Sequence, residues 1–401
     1  MDNSSSVVDN TSESYDGISD CYFPVMNLTD ERIAEFYLLN ALTGRVILIV
    51  MFIILAIGVP GNLTFLITVF RVQAMRNATN MYLTSLAVVD LTFLSISIFT
   101  YFFYFNNTVR THLITADVVG CIGAFIVPYF TYFLSISTVT LVTLDRYNAV
   151  CNPISYIQRR NKLRALRLII GSWVVAVLLA GLVIPRFARK VKFCAVWPDT
   201  EKYQDLPVVL GYCVSISAAG LIVGHLVEAV VFVVALVVNA VMYARIILHL
   251  SARVNKKKQQ QQTIPTQATQ IRNQVSRLLI TFGTVFFLCQ APFVIISLAN
   301  IVDYLLGTPS AVTYRKLVLP LTISHVFIFL NSAINPVIYN LTSRIYRHAF
   351  KQTVCGDRCT RKRCDSVTSL PIDKADPPDN NSFENRLQDD EDDVDARDSK
   401  L

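Results

Sequence analysis

The chain has 401 residues, of which 53% are hydrophobic and 16% are charged. Soluble domains have about 25% charged residues, so this composition argues against a soluble protein and favours one that lies in a membrane. The formal net charge of +7 comes from basic clusters between long apolar runs. We interpret it as a signal of membrane topology and exclude a nucleic-acid-binding protein.

The first 44 residues are polar, acidic and rich in serine, without a basic segment followed by an apolar core. We therefore expect no cleavable signal peptide, and we assign residues 1–44 to a flexible, glycosylated extracellular tail. N-x-S/T sequons, the acceptor pattern for N-glycosylation, agree with the outer location. Those in predicted outer segments begin at Asn3, Asn10, Asn27 and Asn106.

Seven long apolar runs follow, and each is at or near the ~20 residues with which a helix crosses a ~30 Å hydrocarbon core. Basic residues concentrate in alternate loops, so the positive-inside rule places these loops and the C-terminus in the cytoplasm. The predicted fold is an all-α membrane protein with a seven-transmembrane helix bundle over residues 45–340. The runs occupy about residues 46–70, 81–105, 118–144, 168–185, 219–248, 278–301 and 317–340.

Three further segments lie on the predicted cytoplasmic side. The third inner loop, residues 250–272, lacks apolar periodicity and indicates a mobile linker. Residues 341–353 have apolar side chains at helical spacing with basic ones between them, which predicts a short amphipathic eighth helix. Residues 354–401 are polar and then acidic, which is typical of a disordered tail. Three cysteines there suit palmitoylation: Cys355, Cys359 and Cys364.

Several polar side chains fall inside the predicted spans, where they are costly unless they face the bundle interior. Asp90 is the lone carboxylate among them. Two interpretations stay open from the residues themselves. One is a network of interhelical hydrogen bonds, worth ~0.6 kcal/mol each, and the other is a small-cation site centred on Asp90. The polar set comprises Asn62, Asp90, Ser135, Asn239, Asn331, Ser332 and Asn335.

Eight short motifs occur in a fixed order on these spans and on the loops between them. They are GNLTF (61–65), LAVVD (86–90), Cys121, DRY (145–147), Trp173, Cys194, FFLCQAP (286–292) and NPVIY (335–339). With them, residues 45–353 resemble the rhodopsin-like (class A) G-protein-coupled receptors. The phrases DRYNAVCNP and SAINPVIYNLTSRIYRHAF are most similar to neuropeptide receptors, of the thyrotropin-releasing-hormone type first and the FMRFamide type second.

The resemblance implies a switch for G-protein coupling. Arg146 would engage the G protein once the sixth helix swings outward, and Asp145 would hold Arg146 at rest. Tyr243 matches the tyrosine that meets Arg146 in the active form. Asn335, with the proline and tyrosine that follow, matches the seventh-helix switch. The whole implied set is Asp145, Arg146, Tyr147, Tyr243, Gln290, Pro292, Asn335, Pro336 and Tyr339.

The resemblance also implies an ion site and a disulfide. A sodium ion that favours the inactive state is the one cofactor we expect. The implied disulfide joins Cys121 to Cys194, and a second bond between Cys21 and Cys213 is left open. The residues that match the sodium site are Asp90, Ser135, Asn331, Ser332 and Asn335.

Four positions depart from the family pattern. Ala235 replaces the proline of the fifth helix, and the first outer loop lacks its tryptophan. Gln290 replaces the tryptophan that precedes Pro292, so we predict that the hinge of the sixth helix is retained and its trigger altered. Arg272 replaces an acidic partner of Arg146, which predicts modest basal activity.

Two positions exclude ligand classes of the family. Phe329 stands where a retinal-binding lysine would be, and Pro128 stands where an amine-binding aspartate would be. Tyrosines and one acid in a wide site favour a peptide, one with a basic or amidated end. The predicted ligand-binding residues are Tyr101, Tyr129, Tyr132, Glu228, Gln290, Asn300, His325 and Phe329.

We therefore predict a plasma-membrane receptor for a neuropeptide, with an extracellular N-terminus and a heterotrimeric G protein as its partner. A receptor kinase and an arrestin are further expected partners, through the tail. An enzyme is not expected, because the spans lack metal-ligand spacing and a nucleophile–base pair. The alternatives are an orphan or weakly signalling receptor for a non-peptide ligand, or a transporter, which the lack of internal repeats disfavours.

Overall fold

The computed structural model describes residues 21–39, 41–110, 117–159, 161–259, 267–306 and 311–355. Within these ranges the side chains of residues 41, 159, 253–259, 267–275, 311–318 and 355 are not described. The chain divides into a unit of residues 1–353 and a unit of residues 354–401, and the described elements lie in the first apart from the end of the last helix.

Seven of the described helices are long and apolar enough to cross a membrane. They correspond in chain order to the seven predicted spans, so the predicted seven-transmembrane fold is confirmed. The spanning helices are α2 (Ala41–Arg71), α3 (Ala78–Phe105), α4 (Val118–Cys151), α6 (Lys162–Val183), α7 (Ala218–Gln259), α8 (Gln267–Leu305) and α9 (Ala311–Thr342). The short helices are α1 (Glu31–Tyr37), α5 (Pro153–Arg159) and α10 (Arg344–Cys355).

Side chains at the helix starts explain where three of the spans begin. The first N–H groups of a helix have no partner within it, and an Asn or Asp before the first turn can accept from them. Asn77 accepts from the Asn80 N–H at 3.0 Å at the start of α3. Asp117 does the same for Gly120 in α4, at 2.8 Å, and Asn161 accepts from Leu163 in α6, at 2.9 Å.

Helix α7 extends further at its C-terminal end than predicted, and α8 extends further at its N-terminal end. The expected mobile linker at residues 250–272 is wrong for most of its length, because α7 continues to Gln259 and α8 begins at Gln267. Ala, Arg, Lys and Gln in this stretch are good helix formers, and an exposed helix extension needs no apolar periodicity. Residues 260–266 lie outside the described part of the chain.

Helices α2 and α9 approach each other closely at Gly58. A Cβ atom there would lie 2.7 Å from the Cβ of Ala333 and 2.7 Å from a methyl group of Leu94. The absence of a side chain therefore allows the two backbones to meet. Asn62, one turn later, donates to the carbonyls of Gly58 and Ser332, at 3.0 Å each, and joins the same two helices.

A small folded cap covers one end of the chain's first unit; we call this the outer end and the end that carries α10 the inner end. Strands β1 (Val25–Asn27), β2 (Arg189–Val196) and β3 (Val209–Val214) form one sheet in that order. β1 runs parallel to β2, and β2 and β3 form an antiparallel hairpin. Below the sheet lies a compact apolar cluster that includes Leu28, Ala34, Val109, Ala195, Tyr203 and Leu210.

The cap corrects the predicted N-terminal tail. Residues 1–44 were expected to be a flexible tail, but residues 21–39 contribute β1 and α1, and the first spanning helix already begins at Ala41. The reason is that a few apolar side chains in this polar segment, such as Leu28, are enough to fill the cluster below the sheet. Residues 1–20, with the predicted sequons at Asn3 and Asn10, lie outside the described residues.

The cap also corrects the predicted disulfide. Cys121 is bonded to Cys213, and Cys194 is bonded to Cys21, instead of the implied bond between Cys121 and Cys194. The hairpin register gives the physical reason. Cys213 stands opposite Lys190, four residues from Cys194 along β2, which is about 13 Å. Cys194 in turn lies beside β1, within reach of Cys21.

Helix α10 follows α9 directly and is amphipathic, as predicted for residues 341–353. Tyr346 and Ala349 are buried against the bundle core, while Arg344 and Arg347 are exposed. The Tyr346 hydroxyl donates to the side chain of Asn80 in α3. Cys355 is the last residue of this helix, and Cys359 and Cys364 lie outside the described residues.

Disulfide mapping of the purified protein under non-reducing conditions tests the cap. We expect linked peptides that join Cys121 to Cys213 and Cys21 to Cys194. In the variant Cys121→Ser, Cys213 should become reactive towards a thiol reagent while Cys194 stays protected. The variant Cys21→Ser is the matched control and should instead expose Cys194. A peptide that links Cys121 to Cys194 would contradict this connectivity.

Candidate functional site

A buried acidic and basic pair lies between the cap and the bundle core. The Glu228 carboxylate on α7 is 0% exposed, and its Oε2 atom accepts from Arg186 Nη1 at 3.0 Å. Ser297 Oγ and the Tyr129 hydroxyl donate to the same oxygen, at 3.3 and 3.4 Å. Arg186 Nη1 also donates to the Tyr129 hydroxyl at 2.8 Å. The second carboxylate oxygen, Oε1, has no hydrogen-bond partner among the described residues.

Arg186 reaches this position because of the chain around it. It is the last residue of a short turn, Ile184–Arg186, which follows α6 and has Pro185 as its second residue. Gly224 on α7 leaves room for it, because a Cβ there would lie 3.2 Å from the Cβ and Cδ atoms of Arg186. The guanidinium carbon is also 5.1 Å from the centre of the Phe187 ring. Cation–π contact adds to the ion pair.

Two more side chains extend the cluster around Glu228. His225 Nδ1 lies 2.6 Å from Ser297 Oγ, so the histidine is joined to the carboxylate through the serine. The Tyr132 hydroxyl donates to the backbone carbonyl of Glu228 at 3.4 Å. The predicted ligand-binding residues Tyr129, Tyr132 and Glu228 thus form one connected group.

A second group of predicted ligand-binding residues is aromatic. The His325 ring lies between Tyr101 and Phe293, with ring centres 5.4 and 5.2 Å away. Tyr101 also meets Phe329, at 5.3 Å. These contacts join α3, α8 and α9. They form an apolar wall of the outer half of the bundle.

The last two predicted ligand-binding residues lie on α8. Gln290 is buried in the span, and its Oε1 has no hydrogen-bond partner among the described residues. Asn300 is half-buried nearer the outer end of the helix. The structure does not bring either side chain into the Glu228 group or into the aromatic wall.

Basic side chains line the sheet above these two groups. Lys190 and Lys192 both lie on β2. Partial burial, with the nearby charge of Lys192 as a smaller cause, lowers the pKa of Lys190. Lys202, in the connection between β2 and β3, donates to Glu35 of α1 at 3.0 Å, and this hydrogen bond raises the pKa of Lys202.

The predicted sodium ligands are all buried, and two of them bind the Asp90 carboxylate. Asp90 on α3 accepts from Asn335 Nδ2 on α9 at 2.7 Å, and Ser332 is a second hydrogen-bond partner. Ser135 on α4 and Asn331 on α9 are buried as well. The Oδ1 atoms of Asn331 and Asn335 have no hydrogen-bond partner among the described residues. A carboxylate with amide and hydroxyl oxygens is the donor set of a hard cation, so these residues fit a sodium ion.

A charge pair also occupies the inner end of α4. Arg146 pairs with the neighbouring Asp145 carboxylate, and the same guanidinium donates to Thr79 and, at 3.2 Å, to Tyr156. Thr79 and Tyr156 hold the carboxylate too, with hydroxyl donors at 2.8 and 3.2 Å. Tyr147, which directly follows Arg146 and is a further predicted switch residue, is half-buried.

The two predicted switch tyrosines, Tyr243 and Tyr339, do not contact Arg146 through any described hydrogen bond. The Tyr243 hydroxyl lies 3.0 Å from Thr143 Oγ1, and it occupies the space beside Gly283, where a Cβ atom would lie 1.7 Å away. The Tyr339 ring packs against Phe65, with ring centres 5.3 Å apart, and its hydroxyl has no hydrogen-bond partner among the described residues.

Sequence reasoning missed several residues of these sites, among them Arg186, Ser297, Thr79 and Tyr156. One signal could have led to Arg186: the predicted burial of the Glu228 carboxylate within a span requires a nearby cation. Thr79 and Tyr156 gave no comparable signal. Threonine and tyrosine are ordinary in spans and loops, and their roles depend on how α3 and α5 pack beside α4.

Removing one partner of the buried ion pair should be far more damaging than removing both. Arg186→Met leaves the Glu228 carboxylate buried without a cation, which should cost about 3–5 kcal/mol of unfolding free energy. Arg186→Met with Glu228→Leu should restore most of that loss. Thermal unfolding of the purified protein in detergent measures both effects.

The exposed pair between Lys202 and Glu35 supplies the control for this measurement. Both side chains are about half exposed, at 54% and 47%. Lys202→Met should therefore leave the thermal unfolding midpoint almost unchanged, because exposed ion pairs contribute little to stability. Equal stability of Arg186→Met and Lys202→Met would contradict a buried, energetically coupled pair.

Comparison with known proteins identifies the family of the chain. The family model described as "7 transmembrane receptor (rhodopsin family)" matches residues 61–339, more than half of the chain. The predicted rhodopsin-like resemblance is thereby confirmed. Because this is a family of receptors, the prediction that the chain is not an enzyme is confirmed as well.

Individual relatives are neuropeptide receptors whose sequences have low identity to this chain. The human thyrotropin-releasing hormone receptor is 27% identical over 357 residues, which cover 81% of this chain and 82% of that receptor. The same receptor of Gallus gallus is 28% identical over 349 residues, 79% of this chain and 80% of the relative. The allatostatin-A receptor of Bombyx mori is 26% identical over 331 residues, 79% and 81%. The chain belongs to the rhodopsin family of seven-transmembrane receptors.

Proposed function

We propose that this chain is a plasma-membrane receptor that binds an extracellular peptide and activates a heterotrimeric G protein. The observation that carries the proposal is the pair of polar sites on α4. Tyr129 belongs to the Glu228 group at the outer end, and Arg146 belongs to the charge pair at the inner end. One continuous helix connects them over about 25 Å. A ligand that changes the outer group can therefore bias the inner one.

The chemistry of the outer site supports a peptide with an amidated end. Glu228 Oε1 is an acceptor without a partner, and Arg186 beside it uses Nη1 for its hydrogen bonds to the described residues. A carboxamide has both a donor and an acceptor, so it can bind both groups and leave the ion pair neutral. A basic group would add a net charge to a buried site, which costs free energy. The relatives, receptors for thyrotropin-releasing hormone and allatostatin-A, support a peptide ligand.

The inner site supports coupling through movement of α8. Helix α8 carries Pro292, which removes one backbone hydrogen bond and makes an outward swing of its inner half less costly. Such a swing would carry Gly283 of α8 away from the Tyr243 hydroxyl, which packs against it, and so would release Tyr243. Tyr243 and Tyr339 could then replace Asp145 and Thr79 as partners of Arg146. The G protein would stabilise this state from the inside.

The orientation of the chain is part of the proposal. Asn27 and Asn106 begin the two predicted outer sequons that lie among the described residues; both are exposed and would carry glycans on the extracellular side. Helix α10 would lie on the cytoplasmic surface, anchored by acyl groups on Cys355, Cys359 and Cys364. The tail that would recruit a receptor kinase and an arrestin lies outside the described residues.

A peptide screen tests the ligand class. Cells that express the chain with a promiscuous G protein are exposed to matched peptides that end in a carboxamide or a free acid, with a calcium readout. We expect activation by an amidated peptide and not by its acid. Glu228→Gln should weaken its potency by roughly tenfold to a hundredfold, since a hydrogen bond to a charged group is lost.

The control for the screen is another acid on the same side of the chain. Glu35→Gln removes the exposed partner of Lys202 and should leave the dose–response curve unchanged. Surface expression of both variants is measured in parallel, so that a folding defect is recognised. An unchanged curve for Glu228→Gln would contradict the proposed contact.

We propose sodium as a regulator that favours the resting state. Asp90, Ser135, Asn331, Ser332 and Asn335 would hold the ion, whose charge would neutralise the buried carboxylate. Raising sodium chloride at constant ionic strength should lower agonist affinity at the native receptor. Asp90→Asn should abolish this dependence, because the amide carries no charge. An equal sodium effect in Asp90→Asn would exclude the site.

The packing of Tyr243 against Gly283 predicts a variant with raised basal activity. In Gly283→Ala the new methyl group collides with the Tyr243 hydroxyl, which must leave its place beside Thr143. A shift of about 1 kcal/mol in the resting–active equilibrium would raise the active fraction roughly fivefold. Agonist-free G-protein activation measures it. Gly171→Ala, where nothing lies within 4 Å, is the control. Equal basal activity in the two variants would contradict the prediction.

A further inference from the structure

We propose that Ser97, Gln290 and Asn331 form an outer oxygen cluster that binds the water molecules of the sodium ion at Asp90. This cluster rests on the sodium binding proposed above, and it adds Ser97 and Gln290, which are no part of the ion site that the family resemblance implies. The family pattern has a tryptophan at Gln290, and an indole side chain offers no acceptor oxygen. The outer oxygen cluster therefore distinguishes this chain from the family pattern.

Each member of the outer oxygen cluster has a buried oxygen atom without a hydrogen-bond partner. Ser97 is 2% exposed, and Gln290 and Asn331 are 3% exposed each. No described residue donates to Ser97 Oγ, Gln290 Oε1 or Asn331 Oδ1. Buried acceptors without a donor are rare, because they have lost their hydrogen bonds to bulk water. Three of them indicate a bound group that donates hydrogen bonds.

The contact between α8 and α9 places Gln290 and Asn331 at the same depth of the bundle. These consecutive spanning helices run in opposite directions. The ring centres of Phe282 on α8 and Tyr339 on α9 are 5.9 Å apart. Gln290 and Asn331 each lie eight residues outward from this contact, which is a rise of about 12 Å along either helix. Two of the three oxygen atoms thus lie at one level on neighbouring helices.

Ser97 reaches the same region from α3. Asp90, Ser97 and Tyr101 follow one another at spacings of seven and four residues, so they share one face of that helix. Asp90 accepts from Asn335 of α9 at 2.7 Å, and the Tyr101 ring lies 5.3 Å from that of Phe329 on the same helix. This face, with Ser97 on it, is therefore turned towards α9. Ser97 lies about 10 Å outward from Asp90 along α3.

A hydrated cation matches the chemistry of the outer oxygen cluster. Asn331 lies one turn outward from Asn335, which binds Asp90. Hard cations keep water molecules among their oxygen ligands. Such a water directs its oxygen atom at the ion and its two hydrogens away from it, so it needs acceptors on its far side. The oxygen atoms of Ser97, Gln290 and Asn331 are acceptors of this kind.

An ion explains the cluster better than neutral water alone. A carboxylate within a span is costly without a compensating positive charge. The partners of Asp90 are the amide of Asn335 and the side chain of Ser332, and no basic side chain in the described part of the chain pairs with it. Water could bind the three oxygen atoms, but it would leave the charge of Asp90 uncompensated.

The sodium dependence of thermal unfolding tests the cluster in the absence of any agonist. The purified full chain in detergent is titrated with sodium chloride, which replaces choline chloride so that ionic strength and chloride stay constant. An ion that binds the folded state raises the unfolding temperature. Gln290→Met keeps the length of the side chain but removes the amide oxygen. The sodium concentration needed for a given rise in unfolding temperature should increase about tenfold, because loss of an outer-shell partner weakens metal binding by this order.

Three further variants show whether the effect belongs to the cluster. Ser97→Ala should shift the sodium dependence in the same direction as Gln290→Met. Asn239→Leu is the matched control, because it removes another buried amide whose Oδ1 has no described partner, on α7 beside Thr140. Its sodium dependence should equal that of the native chain. In an Asp90→Asn background, Gln290→Met should cause no further change, because the ion is then absent.

Each possible failure has its own signature. A native sodium dependence that is unchanged in Gln290→Met and Ser97→Ala would overturn the cluster and leave the Asp90 site intact, with neutral water alone at the three oxygen atoms. An equal shift in Asn239→Leu would also overturn it, since any buried amide would then have the same effect. A native chain without sodium dependence would remove the proposed sodium regulation itself, and the cluster with it.

Discussion

The ion pair between Arg186 and Glu228 is the interaction on which the outer half of the bundle depends. A carboxylate with no solvent exposure requires a cation, and the end of α6 supplies it across the face of α7. Tyr129 of α4 and Ser297 of α8 complete the hydrogen bonds of one carboxylate oxygen. Four elements are thus fixed around a single charge, while the other oxygen has no hydrogen-bond partner among the described residues.

The same constraint recurs at each depth of the membrane. Asp90 binds an amide of α9 near the middle of the bundle, and Asp145 binds Arg146 at the inner end of α4. Polar groups in a membrane must find partners within the protein, so each of these clusters joins several helices. A change of partner in one cluster must shift the helices that carry it. The proposed coupling between the two ends would pass through these shared helices and needs no contact over the full distance.

The seven spans and the receptor family could be predicted because length, hydropathy and short motifs are properties of the local sequence. The disulfides and Arg186 could not. Cys194 bonds to Cys21 because of strand register, and register depends on pairing between segments far apart in the chain. Arg186 lies beside Glu228 because a short turn follows α6 and because Gly224 leaves room for the arginine side chain. The helical ends of α7 and α8 were missed because the prediction relied on apolar periodicity, which an exposed helix does not need.

The central claim is that the outer Glu228 group and the inner Arg146 group report on one equilibrium. The most direct measurement is the affinity of an agonist for the chain in nanodiscs, with and without a G protein, together with the converse titration. Thermodynamic linkage requires both affinities to rise by the same factor. We expect a rise in the native chain that Arg146→Gln abolishes while agonist binding is retained. Agonist affinity that is identical with and without the G protein would contradict the account.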